Sequence, residues 1–216
     1  MLNKTRAVVL KTTNYSESSL VTQLYTEHFG MQSYLITGAR KPKAKIKANI
    51  LQPLHLLEIV ATHKDNGSLQ RISEARQAPA LQEIPYDIVK SSLALFLNEI
   101  LYKILKEQEH DSYLFEFIHQ SILWLDQSHS NLANFHLVFL IKLTRFLGFY
   151  PAKSKQVLPY FNLHEATFSD SLPEHPLVLQ EPHTSIFRNL IDSEYSNCDR
   201  IKMSSSDRQF LLEKVL

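Results

Sequence analysis

The pattern of hydrophobic and polar positions changes once along the chain. In the first third, short segments rich in β-branched and aromatic residues partly alternate apolar with polar positions, which predicts strands. The predicted strands are Thr5–Lys11, Leu20–Thr26, Met31–Thr37, Leu54–Thr62 and Ser68–Ser73. Asn66-Gly67 precedes the last of them and is typical of a tight hairpin turn. Five short strands predict a small barrel of the OB type, with an SH3-like barrel as the alternative.

After Pro85 the apolar residues recur at helical spacing. A stripe from Leu93 to Leu105 predicts a helix over about Asp87 to Gln108, with Asp87 as its N-cap. A second helix is expected to begin near Asp111. A third, from about Asn131 to Leu147, is apolar nearly all round and is therefore expected to be the buried centre of its domain.

Beyond the third helix the pattern weakens. Gly148 followed by Pro151 is a helix stop, because glycine adopts the left-handed conformation and proline cannot continue a helix. Residues 150–182 contain five prolines and are expected to be irregular. Further helices are predicted near Thr184–Tyr195 and Ser206–Leu216.

These elements define a fold class and two domains. The predicted class is α+β, with an N-terminal five-stranded OB-type β-barrel followed by an all-helical C-terminal domain. The barrel is assigned to residues 1–80 as a nucleic-acid-binding domain, and the helices to residues 81–216.

Charge is distributed unevenly between these two parts. The whole chain has a formal net charge of +1, yet residues 1–80 hold 11 Lys and Arg against 5 Asp and Glu. Five of the eight residues from Arg40 to Lys47 are basic and none is acidic. A same-sign patch steers oppositely charged ligands, so the sequence points to polyanion binding, with nucleic acid the first candidate and an anionic membrane the second.

Composition excludes several classes of protein. No apolar run approaches the roughly 18 to 20 residues that span a bilayer, and the N-terminus leads into an alternating segment instead of a signal-peptide core, so a cytoplasmic protein is expected. Cys198 is the one cysteine, which excludes an internal disulfide and a multi-cysteine zinc site. Its expected role is packing.

The sequence offers no catalytic constellation. Four glycines are too few and too scattered for a phosphate-binding loop, and neither GxSxG nor HExxH is present. The basic N-terminal part has no acidic cluster for two-metal chemistry. We therefore expect neither an enzyme nor a bound cofactor.

The basic segment Ala39–Lys47 is expected to be an exposed, mobile loop, although a short helix over residues 43–52 is the alternative. The cations expected to contact phosphates are Arg40, Lys41, Lys43, Lys45 and Lys47, with Lys11, Arg71 and Arg76. Tyr15 or Tyr34 is expected to offer a ring for base stacking. The competing hypothesis is a non-catalytic interaction scaffold, in which the basic loop is only a solvated surface.

Several segments, in order, resemble the RecO family of bacterial recombination mediators. They are Thr5–Leu10 (TRAVVL), Tyr15–Leu20 (YSESSL), Tyr25–Thr26 with Gly30, Gly38–Lys41 (GARK), Tyr86–Lys106 and Asn134–Pro151. The two helical segments are similar to Bacteroidetes-type members. The resemblance covers roughly residues 2–151 well and the rest loosely.

The resemblance implies an N-terminal OB domain and a helical C-terminal domain. It also implies binding of single- and double-stranded DNA, strand annealing, contact with the acidic tail of single-stranded DNA-binding protein, and RecA loading together with RecR. The site for that tail is expected to be an apolar groove with basic residues, for which Lys142 and Arg145 of the third helix are the candidates. Family members usually have a further C-terminal tail beyond the equivalent of Leu216.

One departure concerns zinc. Several family members hold a four-cysteine zinc knuckle after the third helix, whereas the equivalent stretch Tyr160–Pro176 has no cysteine. His164, His175 and His183 match no zinc spacing and are expected to be ordinary polar residues. Packing of Tyr160, Phe161 and Phe168 is expected to hold this stretch instead.

Overall fold

The computed structural model describes residues 2–63, 69–105, 110–154 and 156–216. The predicted Asn66-Gly67 turn and the end of the first predicted helix at Gln108 lie outside these residues. Contacts divide the chain into two compact units, Met1–Ser128 and His129–Leu216. The described part of the chain contains no helix that is long and apolar enough to cross a membrane.

The first unit contains a closed five-stranded barrel. Its strands are β1 Leu2–Asn14, β2 Leu20–Thr26, β3 Gly30–Ile36, β4 Leu56–Thr62 and β5 Gln70–Gln77. The strands follow one another round the barrel in the order β1-β2-β3-β5-β4, and β4 pairs with β1 to close it. Every pair is antiparallel except β3 with β5. The OB-type barrel is therefore confirmed, and the SH3-like alternative is set aside.

The inward-facing residues of the strands form the barrel core. Leu24, Tyr34 and Ile59 are buried there, and each lies on the inner face of its strand. The strand β1 departs from simple alternation at a β-bulge between Val9 and Lys11. Because the bulge inserts one unpaired residue, Leu10 remains buried while Lys11 turns outward.

Two helices complete the first unit. They are α1, Ile88–Ile104, and α2, Ser112–Gln127. Asp87 caps α1 by accepting hydrogen bonds from the backbone N–H groups of Val89 and Lys90, as predicted, and Asp111 caps α2 in the same way. The segment that connects β5 to α1 is bonded to α2. The buried carboxylate of Asp126 on α2 accepts hydrogen bonds from three backbone N–H groups of this segment. These belong to Gln82, Glu83 and Ile84, at 2.8 to 2.9 Å.

The second unit is built around α3, Phe135–Leu143, in which seven of the nine residues are buried. Helical turns with i to i−3 hydrogen bonds continue to Leu147. Gly148 then adopts φ +85°, which confirms the predicted left-handed stop. The regular helix is shorter than predicted at both ends, since Asn134 is its N-cap and the turn after Leu143 is tighter than an α-helix.

The remaining elements of the second unit are β6 Tyr160–Asn162, β7 Thr167–Ser169, β8 Val178–Leu179, α4 His183–Ile191 and α5 Ser205–Val215. The expectation that residues 150–182 are wholly irregular is wrong, because β6, β7 and β8 form a small antiparallel sheet in the order β7-β6-β8. The strands are only two or three residues long, too short for an alternating pattern to be visible in the sequence.

Aromatic packing stabilises this small sheet. The ring of Phe161 lies 4.8 Å from that of Phe168 and 4.7 Å from that of Phe187, between ring centroids. The guanidinium of Arg188 lies 4.5 Å from the centre of the Phe168 ring and donates to the carbonyl of Leu158. Of the three aromatic residues predicted to hold this stretch, Tyr160, Phe161 and Phe168, the packing is confirmed for the two phenylalanines.

The three histidines of this region lie in different surroundings. His183 contacts the carboxylate of Asp207 at 3.1 Å, whereas the rings of His164 and His175 lie 6.0 Å apart, centroid to centroid. Across the described ranges, no group of three His, Cys, Asp or Glu residues is arranged to hold a metal ion. Cys198 is fully buried, as expected for a packing residue, and burial raises its pKa to about 11.

Candidate nucleic-acid interface

The basic loop, residues 39–47, follows β3 and is attached to the barrel at several points. Ala39 and Ile46 are buried members of the barrel core, so the expectation of a wholly exposed loop is wrong at these two positions. The N–H of Arg40 donates to the carbonyl of Ser18 in the connection between β1 and β2, at 3.2 Å. The alternative helix over residues 43–52 is reduced to a single 3-10 turn, Ala48–Ile50.

The anchoring directs the cations of the loop outward. Two apolar side chains point into the core, and the basic side chains between and around them are exposed. The exposed loop cations are Arg40, Lys41, Lys43, Lys45 and Lys47. The structure therefore leaves all five predicted loop cations accessible to solvent.

Ion pairs divide the predicted cations into two groups. Lys45 pairs with Glu74 at 3.2 Å, and Arg76 pairs with Glu58 at 2.6 Å. Glu58 also pairs with Lys4 at 3.0 Å, and hydrogen bonds from Lys4 and Arg76 lower the pKa of this carboxyl. Lys45 and Arg76 are thus partly neutralised and are weaker candidates for phosphate contacts than the sequence predicted.

The other cations have no acidic partner among the residues that the structure describes. They are Lys11 on β1, Arg71 on β5, and Arg40, Lys41, Lys43 and Lys47 of the basic loop. We call the last four the unpaired loop cations. An exposed cation without an acidic partner keeps its full charge for a polyanion.

The two predicted stacking residues have opposite surroundings. Tyr15 lies between β1 and β2 and is 63% exposed, so its ring is accessible to a base. Tyr34 is 1% exposed inside the barrel, and burial raises its pKa to about 12. The prediction that Tyr34 stacks on a base is therefore wrong. Tyr34 and Ile36 are separated by two positions and share the inner face of β3.

A groove of about 520 Å³ lies beside the bulge of β1 and includes Lys11 and Arg40 in its lining. Its other side is formed by α1, which contributes Asn98 and Tyr102. The side-chain amide of Asn98 donates to the carbonyl of Leu10 at 2.9 Å, which ties α1 to the bulged residue. The ammonium of Lys11 lies 5.0 Å from the centre of the Tyr102 ring.

Sequence reasoning missed Tyr102 and Asn98. Both lie between the residues of the apolar stripe on α1, where a polar or aromatic residue is normally read as solvent-facing. The bulge at Leu10 could have been suspected from the unbroken apolar run Ala7–Leu10, because simple alternation does not allow four consecutive buried residues.

The candidate partner-binding residues lie at the end of α3 in the second unit. Lys142 pairs with Glu194 at 2.8 Å, and its side chain is 20% exposed. Arg145 is exposed, and its guanidinium lies 4.6 Å from the centre of the Tyr150 ring. Phe149 nearby along the chain is 54% exposed. Arg145 and Phe149 are therefore exposed at this helix end, and the half-buried ring of Tyr150 lies beside the Arg145 guanidinium.

Comparison with known proteins agrees with this architecture. Residues 1–79 match the model of the Recombination protein O N-terminal family, and residues 85–215 match that of the Recombination protein O C-terminal family. The chain is 37% identical to the DNA repair protein RecO of Flavobacterium psychrophilum over 99% of this chain and 89% of that protein. It is 39% identical to the DNA repair protein RecO of Bacteroides fragilis, over 96% of this chain and 87% of that protein. The chain belongs to the RecO family of DNA repair proteins.

Proposed function

We propose that this protein binds single- and double-stranded DNA through its barrel and anneals complementary strands as a recombination mediator. The observation that supports this most directly is the set of six exposed cations that have no acidic partner among the described residues, four of which lie on the basic loop. The scaffold alternative treats these cations as solvated surface. The assignment of DNA binding to residues 1–80 stays a prediction, as does a cytoplasmic location.

The proposed mechanism needs a basic surface and no nucleotide. Two DNA strands repel each other, and a protein that carries cations lowers this repulsion and raises the local concentration of both strands. Lysines on a surface loop contact phosphates without reading base edges, so annealing should depend little on sequence. Membership of the RecO family supports RecR and single-stranded DNA-binding protein as partners and RecA loading as the outcome.

Mixing the protein with complementary oligonucleotides is expected to speed duplex formation without ATP and to be insensitive to a chelator. The rate should fall sharply as salt rises, because the log of affinity changes with the log of salt by about −0.7 per neutralised phosphate on a single strand. Fluorescence quenching on duplex formation measures the rate. Binding without acceleration at any protein-to-strand ratio would reject the mediator, and a flat salt response would favour the scaffold.

The end of α3 is the proposed binding site for the tail of single-stranded DNA-binding protein. An acidic tail that ends in an aromatic residue and a carboxylate needs a cation beside apolar surface, which Arg145, Tyr150 and Phe149 provide. Lys142 is expected to contribute less, since Glu194 already neutralises it. We therefore expect Arg145 to contribute more than Lys142.

Arg145→Ala is therefore expected to lose most of the affinity for such a tail peptide, whereas Lys142→Ala loses less. Isothermal titration calorimetry with the peptide measures both. Arg200→Ala, an exposed arginine of the same unit, serves as the control and should bind normally. Absence of binding to the intact protein rejects this site, and equal losses in all three variants would mean that only net charge matters.

A further inference from the structure

We propose that the groove beside Lys11 and Tyr102 binds one unstacked nucleotide of single-stranded DNA. The base would lie in the groove, and its phosphate would lie at Lys11 and Arg40. This inference rests on the proposed DNA binding and adds to it a base contact and a strand preference.

The lining of the groove suits the flat face of a base. Its barrel side includes the half-buried apolar side chains of Ala48 and Pro53, and α1 adds the ring of Tyr102. A volume of about 520 Å³ lies within the range of small-molecule binding sites. Aromatic rings on a basic surface are the usual means by which proteins hold single strands, because every base has a face that can stack.

Charge fixes the orientation of the nucleotide. Lys11 and Arg40 both line the groove, and both are exposed and without an acidic partner in the described ranges. Glu99 lines the groove from α1, where it pairs with Lys103 at 2.8 Å. A phosphate is therefore attracted to the barrel side of the groove, from which the basic loop continues.

Binding of the phosphate and of the base should reinforce each other. The ammonium of Lys11 now lies over the Tyr102 ring, 5.0 Å from its centre. A phosphate draws this ammonium outward, because an ion pair with a phosphate is stronger than an exposed cation–π contact. The movement uncovers the face of the ring for the base attached to that phosphate.

Asn98 adds a polar group to the same wall. Its amide nitrogen is bonded to the carbonyl of Leu10, while its Oδ1 is buried and has no hydrogen-bond partner among the residues described. A buried acceptor without a partner is unfavourable. A small rotation of the side chain toward the groove would let an exocyclic amine of a base satisfy it.

The groove favours single strands over duplexes. In a duplex the bases are paired and stacked, so a base can enter the groove only after both interactions are broken. In a single strand this cost is small. The barrel is therefore expected to bind the phosphates of both single- and double-stranded DNA, but to bind a base only from single-stranded DNA.

The test compares two strands of about 12 nucleotides, a length suited to one OB fold, of which one carries bases and the other is abasic throughout. Tyr102→Ala is expected to weaken binding to the base-bearing strand by about 5- to 150-fold, the range for losing one stacked base, and to leave binding to the abasic strand unchanged. Tyr102→Phe keeps the ring and should bind both strands normally. Tyr113→Ala on α2, where the side chain is 81% exposed, is the matched control and should have no effect.

If Tyr102→Ala lowers the affinity for both strands equally, the base contact is overturned. Normal affinity of this variant for both strands would overturn it as well. Either result leaves DNA binding by the loop cations standing. If the wild-type protein binds neither strand, the proposed function fails together with this inference. Fluorescence anisotropy at physiological salt measures all eight affinities, and unchanged binding of the abasic strand shows that the variant is folded.

Discussion

Changing the four unpaired loop cations together to glutamate is expected to abolish DNA binding at physiological salt. If each cation neutralises one phosphate, losing four contacts lowers the affinity by about two orders of magnitude through lost counterion release alone. The four new carboxylates then repel the strand. The slope of log affinity against log salt should become shallower by about 2.8, which is four times 0.7. A gel-shift titration at several salt concentrations measures both.

The same variant should unfold at nearly the wild-type temperature. The four side chains are exposed and make no ion pair among the residues described, so their replacement breaks no ion pair there. Lys45 is left in place because its pair with Glu74 would be lost. Single Lys→Ala changes are expected to do little, since the contacts are redundant.

A matched control carries the same change of charge outside the barrel. It replaces four cations of the helical regions by glutamate, namely Arg145, Arg200, Lys202 and Lys214, none of which makes an ion pair among the described residues or lines the groove. Normal binding by this control together with loss in the loop variant assigns the interface to the loop. Unaltered binding by the loop variant would place the DNA elsewhere, and a marked fall in its thermal midpoint would mean that the loop cations are structural.

The barrel was predictable because its signal is local. A strand with one buried face alternates visibly over five to seven residues, and β2 coincides with the predicted Leu20–Thr26. The same alternation also predicts that Tyr34 is buried, because Tyr34 lies two positions before Ile36 and therefore on the same inner face of β3. Exposure of Tyr15 follows from its position in a turn. Both tyrosines were predicted to stack on a base because both are aromatic, without regard to their positions in the strands and turns.

The ion pairs and the groove were not predictable, because they join residues that are distant in sequence. Lys45 and Glu74 are 29 positions apart, and Leu10 and Asn98 are 88 apart. Whether a basic residue is free of an ion pair, and so available to DNA, depends on which β-strand of the barrel lies beside it. Pairing of β4 with β5 places Glu58 opposite Arg76, and that register became known only with the structure.

Two residues nevertheless gave a signal that sequence reasoning overlooked. Lys90 lies in the first turn of α1 and Asp126 in the last turn of α2, and both charges oppose the helix dipole. Both side chains are 4% exposed, and the ammonium of Lys90 donates to the carbonyl oxygen of Asp126 at 2.7 Å. Charges at unfavourable helix ends can thus mark buried contacts.

Asp126→Ala is expected to lower the free energy of unfolding of the first unit by about 3 to 5 kcal/mol, the largest effect on stability of any substitution considered. Its carboxylate accepts three backbone hydrogen bonds in a buried site, and alanine would leave all three donors without a partner. Asp126→Asn keeps one acceptor oxygen and should lose less. Denaturant unfolding followed by fluorescence of Trp124, the one tryptophan, reports on this unit because Trp124 lies on α2.

Asp87→Ala is the matched control for Asp126→Ala. Like Asp126, Asp87 accepts backbone hydrogen bonds, in its case two. It does so at a more accessible helix N-terminus, where water can replace the carboxylate. Its loss should therefore cost about 1 kcal/mol. Equal costs for the two variants would show that water reaches the donors of Gln82, Glu83 and Ile84, and that burial of the Asp126 carboxylate does not stabilise the connection between barrel and helices.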